Sequence, residues 1–544
     1  MTTNLSRREF LRYSSALSFA GAAAPFAMNL ASIGAASAQS VGGYRAIVCL
    51  FYFGGNDHSN TIIPYDPTEH AAYVNARQSI ALSRDSPAAT SIAPVASQGG
   101  RPFAFHPALT TFKTLYDAGK VAVIANVGPL VVPTTKAEYN NGSVPLPPKL
   151  FSHNDQQSGW QANTPIGEGA RLGWGGRIGD LLASQNGLPV FTCVSAAGNA
   201  VFLSGQNVIQ YQVSSSGAVS ISAISGNLFG SSTASSAYRR LITGTSSHLF
   251  ENELGQITSR SIAANALLAS QNGLPVFTCV SAAGNAVFLS GQNVIQYQIS
   301  SNGAVSISAI SGNLFGSSTA PNAYRRVITR TSPHLFENEL GQITSRSIAA
   351  NALLASSLPP ASQFTTPVPA NNGLASQLNI VARMIFARSP LSANRQVFFV
   401  SLGGFDNHDN LLTEHNLRMQ TIDAAVNAFY SWLQQMQMEN NVTLFTASDF
   451  GRTLTSNGDG SDHGWGAHHF SIGGSVQGGI YGTFPQVDFN TSNDIGQGNL
   501  LPTTSVDQYA ATFARWLGVP DANVPDVLPN VANFGTSRYL DFLT

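Results

Sequence analysis

Five of the 11 histidines of this chain fall between positions 408 and 469: His408, His415, His463, His468 and His469. Two of them stand beside a carboxylate, in Asp406-Asn407-His408 and Asp462-His463. Two more aspartates, Asp57 and Asp449, follow apolar runs with glycine nearby, as Asp406 does. Hard carboxylate oxygens mixed with borderline imidazole nitrogens suit a divalent cation, zinc or manganese in preference to calcium. The candidate ligands are therefore Asp57, Asp406, His408, Asp449, Asp462, His463 and His468. Their spacing follows no regular signature such as HExxH. An aspartate after a strand can instead cap a turn or helix, and a histidine-rich segment near Trp465 can be a packed corner.

A nucleophile would complete such a site. Ser152 opens Ser152-His153-Asn154-Asp155-Gln156, which reads as the start of a helix. Helix amides and a nearby cation would favour an alkoxide or a bound anion there. The alternative is that Ser152 only caps the helix, with Asp155 in the third position of a capping box. Arg452 follows Asp449 closely enough either to clamp an anion bidentately or to pair with that aspartate. The cysteines are poor nucleophiles: Cys49 lies within an apolar run, and Cys193 and Cys279 are copies of one apolar position. Three cysteines make neither a disulfide framework nor a CxxC pair.

These residues need a scaffold, and apolar runs supply it. Arg45–Phe53, Lys120–Asn126, Gln396–Ser401 and Asn441–Thr446 read as buried strands, several ending in glycine and aspartate. Between them, Ala108–Ala118, Ala375–Arg388, Leu412–Glu439 and Ser505–Leu517 carry helical spacing, the last with Ser505 as its cap. Alternation of strand and helix predicts an α/β class with a mostly parallel sheet. Ligands of open α/β sheets sit at the carboxyl ends of the strands, so Asp57, Asp406 and Asp449 are expected to converge there.

Two stretches stand apart from that scaffold. Residues 1–38 join Arg7-Arg8 to a mildly apolar, charge-free stretch and Ala36-Ser37-Ala38, the pattern of a twin-arginine export signal. Residues 39–544 are expected to form one domain, handled by the twin-arginine translocase and delivered to the periplasm or outside the cell. No membrane span is expected in the mature chain. Within it, residues 181–266 recur at 267–352 with seven differences. A single extra 86-residue copy is too long and too few for a solenoid, so it reads as a tandem duplication inside one domain. The surplus copy is then extruded, packed beside the first, or swapped into a neighbour, or early elements of one copy combine with late elements of the other. With 27 basic and 28 acidic residues there is no electrostatic footprint for nucleic acid.

Several segments together resemble the family called domain of unknown function 1501. They are Gly54-Gly55-Asn56-Asp57, Ser152-His153-Asn154-Asp155-Gln156, Gly403-Gly404-Phe405-Asp406-Asn407-His408, Ser448-Asp449-Phe450-Gly451-Arg452-Thr453, Asp462-His463-Gly464-Trp465-Gly466 and Leu501-Pro502-Thr503-Thr504-Ser505. That family is similar in turn to the alkaline phosphatase and sulfatase superfamily. The resemblance implies a doubly wound α/β fold with metal at the strand ends: Asp57 as the first-strand ligand, Asp406 and His408 as a pair, Asp449 as a later ligand, and His463 or His468 as the last histidine. Phe450 stands where that superfamily usually has a histidine. Asp462-His463 then supplies the missing imidazole, or one of two metals is absent.

The sequence thus points to an exported metal-dependent hydrolase-like protein acting on a small or polymeric phosphate or sulfate ester. The competing reading is a non-catalytic secreted or surface-associated protein that keeps the fold for binding or assembly.

Overall fold

A computed structural model of the chain describes residues 43–163, 170–215, 349–350, 352–489 and 491–544. The export signal and most of both duplicated copies lie outside the described residues. The architecture is α/β, built on a nine-stranded mixed sheet. Its strands are β1 (Arg45–Phe53), β5 (Val121–Gly128), β6 (Cys193–Ser195), β7 (Tyr211–Gln212), β8 (Arg395–Gly403), β9 (Val442–Ser448), β12 (Ala467–Ile472), β13 (Gly479–Tyr481) and β14 (Thr504–Ser505). The order is β13-β5-β12-β9-β1-β8-β6-β7, with β14 also on β5. Pairing is parallel except at β12, which runs antiparallel to both β5 and β9. Away from this sheet, β2 (Ile62–Pro64), β3 (Ser91–Val95) and β4 (Arg101–Phe105) form a small antiparallel sheet, and β10 (Arg452–Ser456) pairs with β11 (Ser461–His463).

Strand β1 explains why the sheet is sandwiched. Its run Arg-Ala-Ile-Val-Cys-Leu-Phe-Tyr-Phe is apolar at both parities, so it has two faces to bury. Ala46, Val48, Leu50 and Tyr52 join one core cluster; Ile47, Cys49 and Phe51 join the other. Helices cover both. On the first face lie α2 (Thr110–Asp117), α5 (Gly373–Phe386) and α6 (Leu411–Gln435); on the second lie α4 (Trp174–Leu182) and α7 (Val506–Leu517). Ser505 and Gln508 close a capping box on α7, which explains why the helix begins there. Two further helices, α1 (Pro67–Arg77) and α3 (His153–Ala162), lie at the carboxyl edge of the sheet region described below. Among the described residues, no helix is long and apolar enough to cross a membrane.

Register then aligns the strand ends. Phe53 of β1 stands beside Gly403 of β8, and Tyr52 stands beside Ser448 of β9. The segments that follow, 54–57, 404–408 and 449–452, therefore leave the sheet at one edge. Gly54 and Gly55 make their approach possible. Both have left-handed φ, +116° and +88°, and a Cβ would meet the Asp406 amide nitrogen at 2.4 Å or the Phe450 ring at 2.2 Å.

Beneath this edge lies a set of buried histidines. His58, His106, His415, His468 and His469 are each almost wholly buried. His468 and His469 sit on β12, a strand that the sequence presents as a polar, histidine-rich segment. His468 Nδ1 accepts from the Asn126 amide at 3.0 Å, and its ring stacks on Phe484. His469 packs edge-on to Trp160 on the other side of the sheet. Burial lowers all of them: His58 to about 4, His106, His415 and His469 to about 3, and His468 well below its ordinary value.

Two expectations follow. Gly55→Ala adds both the Phe450 collision and left-handed strain, and should cost about 2–5 kcal/mol in urea unfolding. Gly99→Ala, at φ +69° with nothing within 4 Å of the new Cβ, should cost only about 1 kcal/mol. The buried rings bind protons only when unfolded, so stability should fall as pH drops below about 6.5 towards their folded-state values. Near pH 5 these rings should take up protons on unfolding, offset in part by release from the Asp507 carboxyl, which burial raises to about 6. Calorimetry in buffers of different ionisation enthalpy would measure this; pH-independent unfolding between 5 and 7 would contradict it.

Candidate metal centre

The carboxylate of Asp406, delivered by the turn after β8, is the hub. Its Oδ1 lies 3.0 Å from His408 Nε2, 3.3 Å from His463 Nε2 and 3.0 Å from Arg452 Nη1. Its Oδ2 lies 3.4 Å from His153 Nε2. His408 Nε2 and His463 Nε2 approach each other to 3.1 Å. Two imidazole nitrogens this close cannot both carry a proton, so the cluster is shaped for a shared proton or a cation. One ligand atom each from His153, Asp406 and His463 can be chosen so that all lie within 4.8 Å of one another.

The far sides of the rings are held by different groups. His153, the first residue of α3, donates its Nδ1–H to Asp449 Oδ2 at 2.7 Å. That carboxylate is fully buried and also accepts from the Gly54 amide at 3.1 Å and Gln157 Nε2 at 2.8 Å. His463 Nδ1 lies 2.9 Å from the Phe151 carbonyl. A carbonyl only accepts, so Nδ1 carries the proton and the Nε2 lone pair faces Asp406. His408 Nδ1 lies 3.4 Å from Asp462 Oδ1. Phe450 is wholly buried under the site, its ring 4.8 Å from that of His153 and 4.6 Å from that of His463. It forms an apolar floor where a further ligand was the superfamily expectation.

Charge follows this geometry. The hydrogen bond to Asp449 raises His153 above the ordinary imidazole value against the opposing effect of burial. Burial pushes Asp406 up, but the Arg452 hydrogen bond and charge, with His153 and His408, outweigh it and hold the carboxyl low. Burial lowers His463, in keeping with a neutral ring and a free lone pair.

Not every candidate from the sequence joins the cluster. His408, Asp406 and His463 meet directly; Asp449 and Asp462 stand behind His153 and His408. Asp57 instead turns inward and pairs with Arg77 of α1 at 2.5 Å, both side chains fully buried. His468 lies within the sheet, bonded to the Asn126 amide. Ser152 holds the N-cap position of α3, but its hydroxyl donates to Asp155 Oδ2 at 2.8 Å and accepts from no helix amide. Arg452 is buried, and its guanidinium donates to the Gly54 and Phe405 carbonyls, to Asp406 and to Ser461. It therefore pins Asp406 and does not pair with Asp449. His153 is the ligand candidate that residue types left unmarked; its one signal was its place beside Ser152 at a helix start.

No curated protein matches the chain. Two solved structures resemble it at 11% identity and a TM-score of 0.30. One is described as the crystal structure of Ps i-CgsB in complex with k-i-k-neocarrahexaose, covering 90% of this chain and 77% of that one. The other, from Bacteroides thetaiotaomicron and described with the metabolism of multiple glycosaminoglycans, covers 88% of this chain and 74% of that one. Likenesses this loose say nothing of the substrate of this chain. Residues 346–528 match the model of a family described as a protein of unknown function, DUF1501. This segment, about a third of the chain, contains Asp406, His408, Asp449 and His463, and it is similar to that family.

Proposed function

We propose that His153, Asp406 and His463 hold a divalent cation, with His408 at its rim, in an exported hydrolase-like protein acting on a phosphate or sulfate ester. The observation that carries this reading is the convergence of three Nε2 atoms on one carboxylate, two of them with their Nδ1 atoms tied by Asp449 and the Phe151 carbonyl. Orientation of ligand imidazoles by carboxylate or carbonyl partners is the usual support of a metal centre. A donor set dominated by imidazole fits zinc or manganese better than calcium. When bound, the cation supplies Lewis-acid polarisation of an ester oxygen.

The chain's own groups have separate tasks in this reading. Arg452 fixes Asp406 and offsets its charge. Phe450 keeps water from the underside of the two rings. Ser152, next to His153, is the nucleophile candidate, and the Asp155 carboxylate that accepts its hydrogen bond is the nearest acceptor for its proton. Residues 1–38 are the export signal, and residues 39–544 form one doubly wound domain whose site faces the periplasm or the exterior.

Two observations favour the non-catalytic alternative. The Ser152 hydroxyl is engaged with Asp155, and the superfamily's further histidine is replaced by buried Phe450. On that reading the protein is a secreted or surface-associated one that keeps the fold for binding or assembly, without turnover.

Elemental analysis of the folded protein after dialysis against zinc or manganese should find about one ion per chain, as one such centre requires. His153→Ala and Asp406→Ala should abolish it, and Asp449→Asn should weaken affinity about 10–100-fold. Asp57→Asn should destabilise the fold by about 3–5 kcal/mol, by stranding buried Arg77, and leave metal content unchanged. Metal-dependent hydrolysis of aryl phosphate or aryl sulfate separates the enzyme from the binding protein. A protein with neither metal nor turnover would overturn the hydrolase reading.

A further inference from the structure

Helix α3 departs from the usual pattern of a helix start. The residue before the cap and the fourth residue of a helix commonly meet as an apolar pair that fixes the entry of the chain. With Ser152 as the cap, that pair is Phe151 and Gln156. Phe151 keeps the apolar character, but Gln156 is polar and only 2% exposed. A buried side-chain amide is costly unless its acceptor and both its hydrogens are matched, and those of Gln156 are.

Its Oε1 accepts from the Phe151 amide at 2.7 Å, and its Nε2 donates to the Asp449 carbonyl at 3.3 Å and the Gly464 carbonyl at 3.4 Å. All three partners stand behind the rings of the metal centre. The Phe151 carbonyl accepts from His463 Nδ1 at 2.9 Å, Gly464 is the next residue after His463, and the Asp449 side chain holds His153. Helical side chains lean towards the N-terminus, which brings the amide of residue 156 back over the first turn to residue 151. Gln157 lies four residues after His153 and so serves the other ring, donating to Asp449 Oδ2 at 2.8 Å. Phe151 has φ +70°, a left-handed conformation that is costly for a residue with a Cβ and needs holding at both its amide and its carbonyl.

We propose that Gln156 is a positioning residue for His463: it fixes Phe151 so that the Phe151 carbonyl keeps the imidazole proton on Nδ1 and leaves Nε2 bare towards Asp406. The nitrogen that carries the proton is set by the bond the other ring atom makes, and a histidine in water favours Nε2–H, so this anchor reverses the ordinary tautomer. Its effect on a bound cation rests on the metal-centre reading above; the position of the proton is a property of the metal-free protein.

Nitrogen-15 NMR of the metal-free, histidine-labelled protein at about pH 8, where an ordinary imidazole is neutral, reads this tautomer. The signals of His463 are those lost in His463→Gln. The wild type should carry the proton on Nδ1. Gln156→Met, close in volume but without the three hydrogen bonds, should move it largely to Nε2 and weaken zinc affinity about tenfold or more. Gln156→Glu keeps an acceptor for the Phe151 amide whether ionised or not, and should keep the proton on Nδ1. Asp57→Asn lowers stability elsewhere and should change neither readout, which separates positioning from a general loss of stability. Retention of Nδ1–H in Gln156→Met overturns the inference, as does zinc held by that variant as tightly as by a zinc-binding wild type. Equal loss of Nδ1–H in Gln156→Glu and Gln156→Met overturns it too. A wild type with the proton on Nε2 overturns it without any variant, which keeps the test intact should Gln156→Met fail to fold. A wild type that binds no zinc sinks the metal reading alone, and the tautomer then decides the role of Gln156.

Discussion

One buried guanidinium ties the carboxyl edge of the sheet together. Arg452 begins the segment after β9, yet it donates to Gly54 at the end of β1, to Phe405 and Asp406 at the end of β8, and to Ser461 in β11. A planar group with five fixed donors can hold several chain ends in one geometry, which a lysine cannot. Its desolvation is costly, and burial lowers its affinity for the proton, but hydrogen bonds to carbonyls and to one carboxylate offset that cost. The glycines at 54 and 55 are needed because the three strand ends must come close enough for one side chain to span them.

Everything else at the site depends on Asp406 being held there. Its two oxygens divide the histidines, with His408 and His463 on Oδ1 and His153 on Oδ2. Each ring arrives on a different element: a turn after β8, the end of β11 and the start of α3. Separate elements give precision only if each ring is fixed from behind. Asp449 does this for His153 and the Phe151 carbonyl does it for His463, while buried Phe450 packs against both rings. The histidines below the edge have the opposite balance: desolvation outweighs the Asp57 charge at His58 and His106 and keeps all of them neutral, so they fill the interior and do not gather on Asp406.

The sequence made the central sheet legible because strands buried on both faces must be apolar without interruption. Arg45–Phe53 has the same limits in both readings, and β8 and β9 end within two residues of the expected runs. The convergence of Asp406 and Asp449 followed from parallel strands ending together. Strand β12 was not legible, because Ala-His-His-Phe-Ser-Ile has no apolar signature until its histidines are known to be buried and neutral. The placement of Asp57 was not legible either. Its partner Arg77 lies 20 residues away at the end of another helix, and only tertiary packing decides whether that aspartate meets a cation side chain or an ion. His153 carried no metal spacing, since its neighbours in the cluster come from residues 250 and more positions later.

The account stands or falls on Asp406 as the shared ligand of the three histidines. Anomalous diffraction from crystals grown with zinc or manganese, collected on both sides of the metal edge, tests this most directly. The account predicts one strong peak bonded to His153 Nε2, His463 Nε2 and an Asp406 oxygen. A peak on the inward-facing Asp57 and none at Asp406 would contradict it.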